Sequence, residues 1–483
     1  MPIPPDWLPA FPGMTIKSEY IVNGTSMTVS DTPWPVFREE TGQLPDGTKY
    51  VIRVPQNWNG ILIRDLDFAS GLVNPERVNR FRDMAARGYA IIGTARHRLR
   101  QWQYDPAREI SNHDHLLDLF EATYDTPKCV LQYGCSGGGH LALAISEDFP
   151  DRVNGVVALA AHVPVWLMNT FLDGWFVLKV LLTEYYVGAG LGRAGDLVIA
   201  ELPNDGSAHP TGHGMEGKIP EAWRKAFAAA QVDGLGRARI ALAFAIGQWG
   251  AWVTDDTLQP SLDETEALQE AMYHSALRLA QSPGGEARIM FENAAQGQQL
   301  SWNTDVDYSA FLETANPALR HTVEDLYGKA GGDLAGDLER LAKTRRIAAS
   351  PHALDFWAAP GRNTVGRPKI PVIRLHMIGD YQIPYTLMLG YMEEVRKNSC
   401  EKLVRTALVR STGHCNFATA ESAVAIETML VRLETGDWPD TKPEALNARA
   451  MALDAGDNAR FMELCGYEVP RFNRTWVPDE SQN

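Results

Sequence analysis

The chain has 483 residues, 45% hydrophobic and 22% charged, and its 60 acidic against 45 basic side chains leave a net charge of −15. That composition belongs to a folded protein with a large core, and at roughly 100–200 residues per domain it allows two or three structural units and excludes a small binding module. The acidic surplus, with no basic run longer than Lys343-Thr344-Arg345-Arg346, excludes nucleic acid and anionic membrane surfaces as partners.

The residues Met1-Pro2-Ile3-Pro4-Pro5-Asp6 carry neither the basic region nor the apolar core of a secretory signal, so a cytoplasmic location is the expectation. No uninterrupted apolar run reaches the roughly 18–20 residues a membrane span needs; the longest, 171–182, is broken by Asp173, Gly174 and Lys179. The expected partner is a small-molecule substrate, with no membrane and no nucleic acid, and a homo-oligomer is left open. Five cysteines are too few for a disulfide scaffold.

Short alternating runs at 20–22 and 49–54, separated by Gly and Pro, predict antiparallel edge strands. A strand at 61–63, a helix at 77–87, a strand at 89–93 and an amphipathic helix at 113–124 behind an Asn112 cap follow. Next come a strand at 129–133, a Gly-rich turn, an apolar helix at 140–149 and a strand at 153–160. Strands alternating with helices at this spacing predict parallel βαβ units. From 162 to 367 the alternation gives way to helical segments such as 220–230, 237–252 and 262–280, which predicts one inserted, mainly helical unit. Alternation resumes with a strand at 371–377, a helix at 385–397, a strand at 404–409 and a helix at 418–433. The expected organisation is a discontinuous α/β core (1–161 and 368–438), a helical insertion (162–367) and a C-terminal extension (439–483) that wraps the surface.

The segment Tyr133-Gly134-Cys135-Ser136-Gly137-Gly138-Gly139-His140 contains G-x-S-x-G between an apolar strand and an apolar helix. In that context the serine occupies a tight strand-to-helix turn that exposes its hydroxyl, which makes Ser136 the candidate nucleophile. A serine hydroxyl needs a base, and the base an orienting acid, expected at the ends of later strands in the order Ser, Asp or Glu, His. Asp380, in Gly379-Asp380-Tyr381, and His414, in Gly413-His414-Cys415, occupy those places. His376 falls inside a strand, where it reads as a core histidine. The oxyanion formed on acyl transfer needs two donors: Gly137 N–H is expected to be one, and Asp67 or Phe68, after the strand at 61–63, the other.

Cys135 immediately precedes Ser136, and Cys415 immediately follows His414. This Cys-Ser, Asp, His-Cys arrangement resembles that of the tannase and feruloyl esterase family of α/β-hydrolases. The resemblance implies an α/β-hydrolase fold, a disulfide between Cys135 and Cys415, and an insertion that serves as a lid over the substrate. It covers roughly residues 50–160 and 368–435 together with the placement of the insertion. Two family features are absent: an acidic Asp/Gly repeat of the calcium-binding kind and a glycine-rich oxyanion loop.

The insertion is rich in aromatic residues, and Trp166, Trp175 and Phe176, where the chain leaves the sixth strand, are the first candidates for substrate contact. His113-Asp114-His115 has a spacing that does not share one helix face, and His209 and His213 read as loop residues, so no metal is expected. No dinucleotide or P-loop fingerprint occurs, so no cofactor is expected. The sequence therefore predicts a serine hydrolase that cleaves a carboxylic ester of a bulky aromatic substrate. Amide, lactone or C–C bond hydrolysis by the same triad is the alternative, and a non-catalytic binding protein the rival from another class.

Overall fold

A computed structural model describes residues 19–22, 25–28, 33–72, 75–95, 103–200, 218–285, 287–453, 455, 458–464 and 470–478. His97, His209, His213 and parts of the C-terminal extension lie outside the described residues. Strands β1 (Glu19–Val22) and β2 (Thr25–Thr28) form a separate antiparallel pair. The main sheet comprises β3 (Phe37–Gln43), β4 (Lys49–Pro55), β5 (Ile61–Asp65), β6 (Ala90–Thr94), β7 (Cys129–Cys135), β8 (Gly155–Leu159), β9 (Val372–Asp380), β10 (Val404–Gly413) and β11 (Phe461–Met462), in the spatial order β11-β10-β9-β8-β7-β5-β6-β4-β3. The pairings from β6 through β5, β7, β8 and β9 to β10 are parallel, whereas β3, β4 and β11 join antiparallel at the two ends. This is an α/β-hydrolase fold; of the early alternating runs, 49–54 is the antiparallel strand β4 next to the edge, 20–22 lies in the separate pair, and the edge itself is β3, which the sequence pattern does not announce.

Strand alternation divides the core. Ile52, Leu62, Ile92 and Val156 belong to one buried cluster, and their neighbours Val51, Ile63, Ile91 and Val157 to another. Successive side chains on a strand point to opposite faces, so runs apolar at every position require cover on both sides. The helices Pro106–Thr123 and Gly137–Asp148 contribute to the first cluster and Pro75–Ala86 and Thr419–Thr435 to the second.

The helix Pro106–Thr123 starts a full two turns before its predicted start. Its cap is Asp105, whose carboxylate accepts the Ala107 N–H at 3.1 Å, with Pro106 in the first turn. Asn112 is not the cap. It is buried mid-helix and donates to Asp46 Oδ2 at 2.9 Å, so the Asp-Pro pair outweighs the later Asn as a start signal.

Between β8 and β9 the chain passes through helices that begin with Pro164–Gly188 and end with Pro351–Ala358, yet β8 and β9 pair directly. An excursion of this length therefore leaves the sheet unbroken. The 25-residue helix Pro164–Gly188 is long and apolar enough to cross a membrane, but 89% of its most apolar window is buried inside the protein, against Lys218–Gln231 and Gly234–Gly247. It is the central helix of this layer. The segment 470–478 crosses onto the same layer: Trp166 Nε1 donates to Trp476 O at 2.8 Å and Gln248 Oε1 accepts the Asn473 N–H at 3.0 Å.

Candidate active site

Strand β5 pairs with β6 on one side and β7 on the other, so the chain reverses its direction of travel across the sheet there. Ligands of open α/β sheets bind outside the carboxyl ends of the strands at such a switch point. Ser136 follows β7 at that place and opens the helix Gly137–Asp148 with φ +60° and ψ −119°. A residue with a side chain occupies such a conformation at a cost of order 1–3 kcal/mol, and only where its surroundings enforce it. Here the Ser136 N–H donates to Leu159 O at 3.0 Å, and Ser136 O accepts the His140 N–H at 2.9 Å. The glycines have a steric cause: a Cβ on Gly134 would lie 2.6 Å from the Gly138 backbone, and one on Gly139 2.6 Å from Leu159 O. Strand and helix meet too closely for side chains at those positions.

Asp380 is the last residue of β9, and His414 follows β10. Between Val409 and Thr412 β10 carries one residue more than the facing stretch of β9, a bulge that re-aims the strand end before His414. Left-handed backbone at Gly413 (φ +89°) and Cys415 (φ +57°) turns the chain on either side of it. His414 Nδ1 lies 2.9 Å from both carboxylate oxygens of Asp380. Asp380 is buried, and its Oδ1 also accepts the N–H groups of Gln382 at 2.9 Å and Ile383 at 3.0 Å. Those donors compensate the burial of its charge. His414 Nε2 lies 3.7 Å from Cys415 Sγ, and among the described residues no hydrogen bond joins it to the Ser136 hydroxyl; in ligand-free sites such bonds are often long and tighten with substrate. His376 is buried in β9 with Nε2 at 2.8 Å from Ile383 O.

Cys135 and Cys415 are disulfide-bonded, with Cα atoms 6.1 Å apart, so the residue before Ser136 is tied to the residue after His414. The same loop is held from outside the motif: Arg80, buried on the helix Pro75–Ala86, donates to Cys415 O and Phe417 O, both at 3.1 Å. Nothing in the local sequence around Arg80 signals this contact, which spans more than three hundred residues.

The loop after β5 corrects one expectation. The Asp67 N–H donates to Asp65 Oδ1 at 2.7 Å, and the Asp67 carboxylate pairs with Arg77 at 3.5 Å. Its amide is thus engaged and not offered to an oxyanion. Phe68 is fully buried, its ring edge-on to Phe81 at 4.8 Å. Leu66 of this loop packs by the motif, with its Cβ 3.5 Å from where a Cβ on Gly138 would lie. Burial pushes the Asp65 carboxyl up to about 7, opposed by Arg77. Gly137 stays partly accessible, with its carbonyl accepting from Tyr104 Oη at 2.7 Å.

The three tryptophan and phenylalanine candidates are also corrected. Trp166 packs on Phe472, Trp175 on Trp223 and Trp249, and Phe176 on Tyr308 and beneath Arg346. All three are buried among helices of the insertion and the C-terminal segment, because a helix this apolar is enclosed all round. The side chains beside the site are others. Tyr104, His140 and His162 form a buried wall next to Gly137, the two imidazoles 4.9 Å apart. Burial pushes the pKa of His140 down to about 3 and that of His162 well below its usual range, so both are neutral at pH 7. On the accessible side, Tyr381 sets its ring edge-on to His414 at 6.2 Å, and Arg278 of the helix Thr265–Leu279 lies over the Tyr381 ring at 3.7 Å. Among the described residues no cluster of three or more His, Cys, Asp or Glu side chains could hold a metal ion. A strained serine at a helix start, a buried carboxylate–imidazole pair and a cystine between them are together equipped for nucleophilic acyl transfer.

No family model matches the chain. It is 60% identical over 443 residues, 92% of its own length and 98% of the other's, to an o-phthalyl amidase from Xanthobacter agilis. Similar solved structures include feruloyl esterase B from Aspergillus oryzae, at 14% identity and a TM-score of 0.42 over 90% of this chain and 87% of that one. Another is an esterase from Aspergillus oryzae, at 15% identity and a TM-score of 0.39 over 89% and 84%.

Proposed function

This chain belongs to the family of the Xanthobacter agilis o-phthalyl amidase, and on that footing we propose that it hydrolyses an amide or ester of a carboxylated aromatic acid, a phthalyl group above all, through an acyl-enzyme. The observation that carries this reading is the strained Ser136 tied by a cystine to His414, which in turn pairs with buried Asp380. The helical segment 162–367 is taken as the lid.

In the reaction Ser136 Oγ attacks the scissile carbonyl while His414 Nε2 takes the hydroxyl proton. Asp380 holds His414 Nδ1–H and stabilises the imidazolium. The charge that develops on the carbonyl oxygen is met by the Gly137 N–H, at the positive end of the helix Gly137–Asp148. His414 then gives its proton to the departing amine or alkoxide, and the acyl group remains on Ser136. Water, deprotonated by His414, attacks the acyl-enzyme and releases the acid with Ser136 restored. With an amide the proton transfer to nitrogen is indispensable, because an amide anion is too basic to leave.

The test is covalent labelling with a fluorophosphonate, together with turnover of a phthalyl anilide and a phthalate monoester. The expected result is a single label on Ser136, lost in Ser136→Ala, and hydrolysis of the phthalyl compounds by the labelled-competent protein only. Labelling elsewhere, or full turnover by Ser136→Ala, overturns the assignment.

A further inference from the structure

The accessible side of the site is bounded by Ser136, Gly137, Gly413, His414, Tyr381 and Arg278, all partly exposed, whereas the Tyr104, His140 and His162 wall is buried. A substrate reaches the serine across the first group. Arg278 is the cation in it, and it comes from the insertion, in the last turn of Thr265–Leu279. Its guanidinium rests on the Tyr381 ring at 3.7 Å, and among the described residues it has no hydrogen bond and no ion pair. Arg346 of the same insertion is likewise stacked on aromatic rings without an ion pair, but it donates to Val306 O. Other insertion arginines, Arg237, Arg239, Arg288, Arg320 and Arg340, are each paired with carboxylates.

Stacking restrains the guanidinium plane but leaves its N–H groups available, and the fork of those donors matches a carboxylate. The Tyr381 ring that supports it is itself edge-on to His414 at 6.2 Å. The chain of contacts from His414 through Tyr381 to Arg278 therefore puts a fixed, unneutralised positive charge within reach of a group attached next to the acyl carbon. In an ortho-dicarboxyl aromatic acid the second carboxylate occupies that position. We propose that Arg278 is the specificity-determining residue that binds the free carboxylate of the acyl group, deepening and resting on the reading of a carboxylated aromatic substrate.

The placement has two consequences. Substrate binding completes the ion pair that Arg278 lacks, so a carboxylate-bearing acyl group is favoured over the same ring without it. It also draws the insertion and the core together over one ligand, because Arg278 and Tyr381 come from the two parts. A hydrogen bond to a charged group has a net worth that corresponds to about 10- to 100-fold in binding.

The closing experiment uses the full-length protein and two readouts. First, phthalate and benzoate are compared as protectants of Ser136 against fluorophosphonate labelling. Second, kcat/KM is measured on a phthalyl anilide and the matching benzanilide. The expected result is that phthalate protects at lower concentration than benzoate. In Arg278→Met that advantage falls by about 10- to 100-fold, while Arg278→Lys, which keeps the charge without the fork, loses less. On the anilides the loss in Arg278→Met is larger for the phthalyl compound than for the unsubstituted one. Equal protection by the two acids in the wild type, or equal losses on both anilides, overturns the proposal, the second result marking Arg278 as a structural tie. If the wild type turns over neither anilide, the reading of the substrate fails, and the protection assay still decides the role of Arg278.

Discussion

A serine with φ +60° sits at the centre of this molecule, and everything near it follows from the need to hold that one residue. A Cβ would lie 2.6 Å from backbone atoms at Gly134, the first glycine of G-x-S-x-G, and at Gly139, one residue beyond the motif, whereas at Gly138 it would meet only Leu66 at 3.5 Å, so close approach explains the first glycine of the motif and the one that follows it. Asp380 could be read in the same way, since its place at a strand end is set by order along the chain. Its two backbone donors from Gln382 and Ile383 could not. They keep the carboxylate oriented even though it is buried. Asp380→Asn should therefore leave binding and fold nearly intact and lower kcat by about 10³- to 10⁴-fold, because the amide cannot hold His414 in the tautomer that accepts the serine proton. Steady-state kinetics checks this: a fall in kcat with KM little changed is the expected split. A comparable rise in KM instead would assign Asp380 to substrate binding. The candidates that failed, Asp67, Trp166, Trp175 and Phe176, share a cause. The Asp67 amide and the three aromatic side chains are already engaged, by Asp65, Phe472, Trp223 and Tyr308 respectively.

The two loops that follow β7 and β10 are the elements on which geometry depends. Each ends a parallel strand, each contains a residue in left-handed backbone, and the cystine joins them across 280 residues of sequence. Arg80 reaches the second loop from a helix on the other face of the sheet. A cross-link over so long a loop constrains the unfolded chain strongly, and removing a native disulfide commonly costs about 2–5 kcal/mol. The double variant Cys135→Ala, Cys415→Ala should unfold at lower denaturant concentration by an amount in that range. Its kcat should fall about tenfold or more while the fluorophosphonate still labels Ser136, because the serine turn is held by its own backbone bonds and the histidine loop then relies on Arg80. Unchanged kcat with lowered stability would show that the cystine serves folding only. The bulge in β10 belongs to the same level: the alternating pattern at 404–409 marks a strand, but one extra residue before Thr412 becomes visible only against β9.

For the molecule as a whole, the C-terminal segment locks the helical insertion. Asp173, fully buried in Pro164–Gly188, accepts from Tyr308 Oη at 3.0 Å and forms an ion pair with Arg474 at 3.0 Å, close but not aligned as a hydrogen bond. Arg474 also donates to Trp302 O. Burial raises the Asp173 carboxyl to about 6 in spite of the opposing Arg474. A carboxyl whose folded value lies above its unfolded one, near 4, contributes stability at pH below the unfolded value that is lost as pH rises through the folded one. Arg474→Met removes the opposing charge, so it should destabilise by about 3–5 kcal/mol at pH 8 and by clearly less at pH 5, where Asp173 takes up a proton. Denaturant midpoints at the two pH values test this, and equal losses at both would rule out an uncompensated Asp173 charge as the cause.

The Cys135–Cys415 bond was implied only by a family resemblance, and the edge strands β3 and β11 were not legible; the sequence by itself determined the alternating α/β-hydrolase core and Ser136, Asp380 and His414 as one constellation. Those depend on local pattern and on order along the chain, which a single sequence carries. Only the tertiary structure decided that the aromatic residues of Pro164–Gly188 face inward, that Asp65 occupies the Asp67 amide, and that Arg278 lies over Tyr381 beside His414. Those are contacts between segments far apart in the chain, fixed by how the insertion packs on the core and not by any residue's own neighbours.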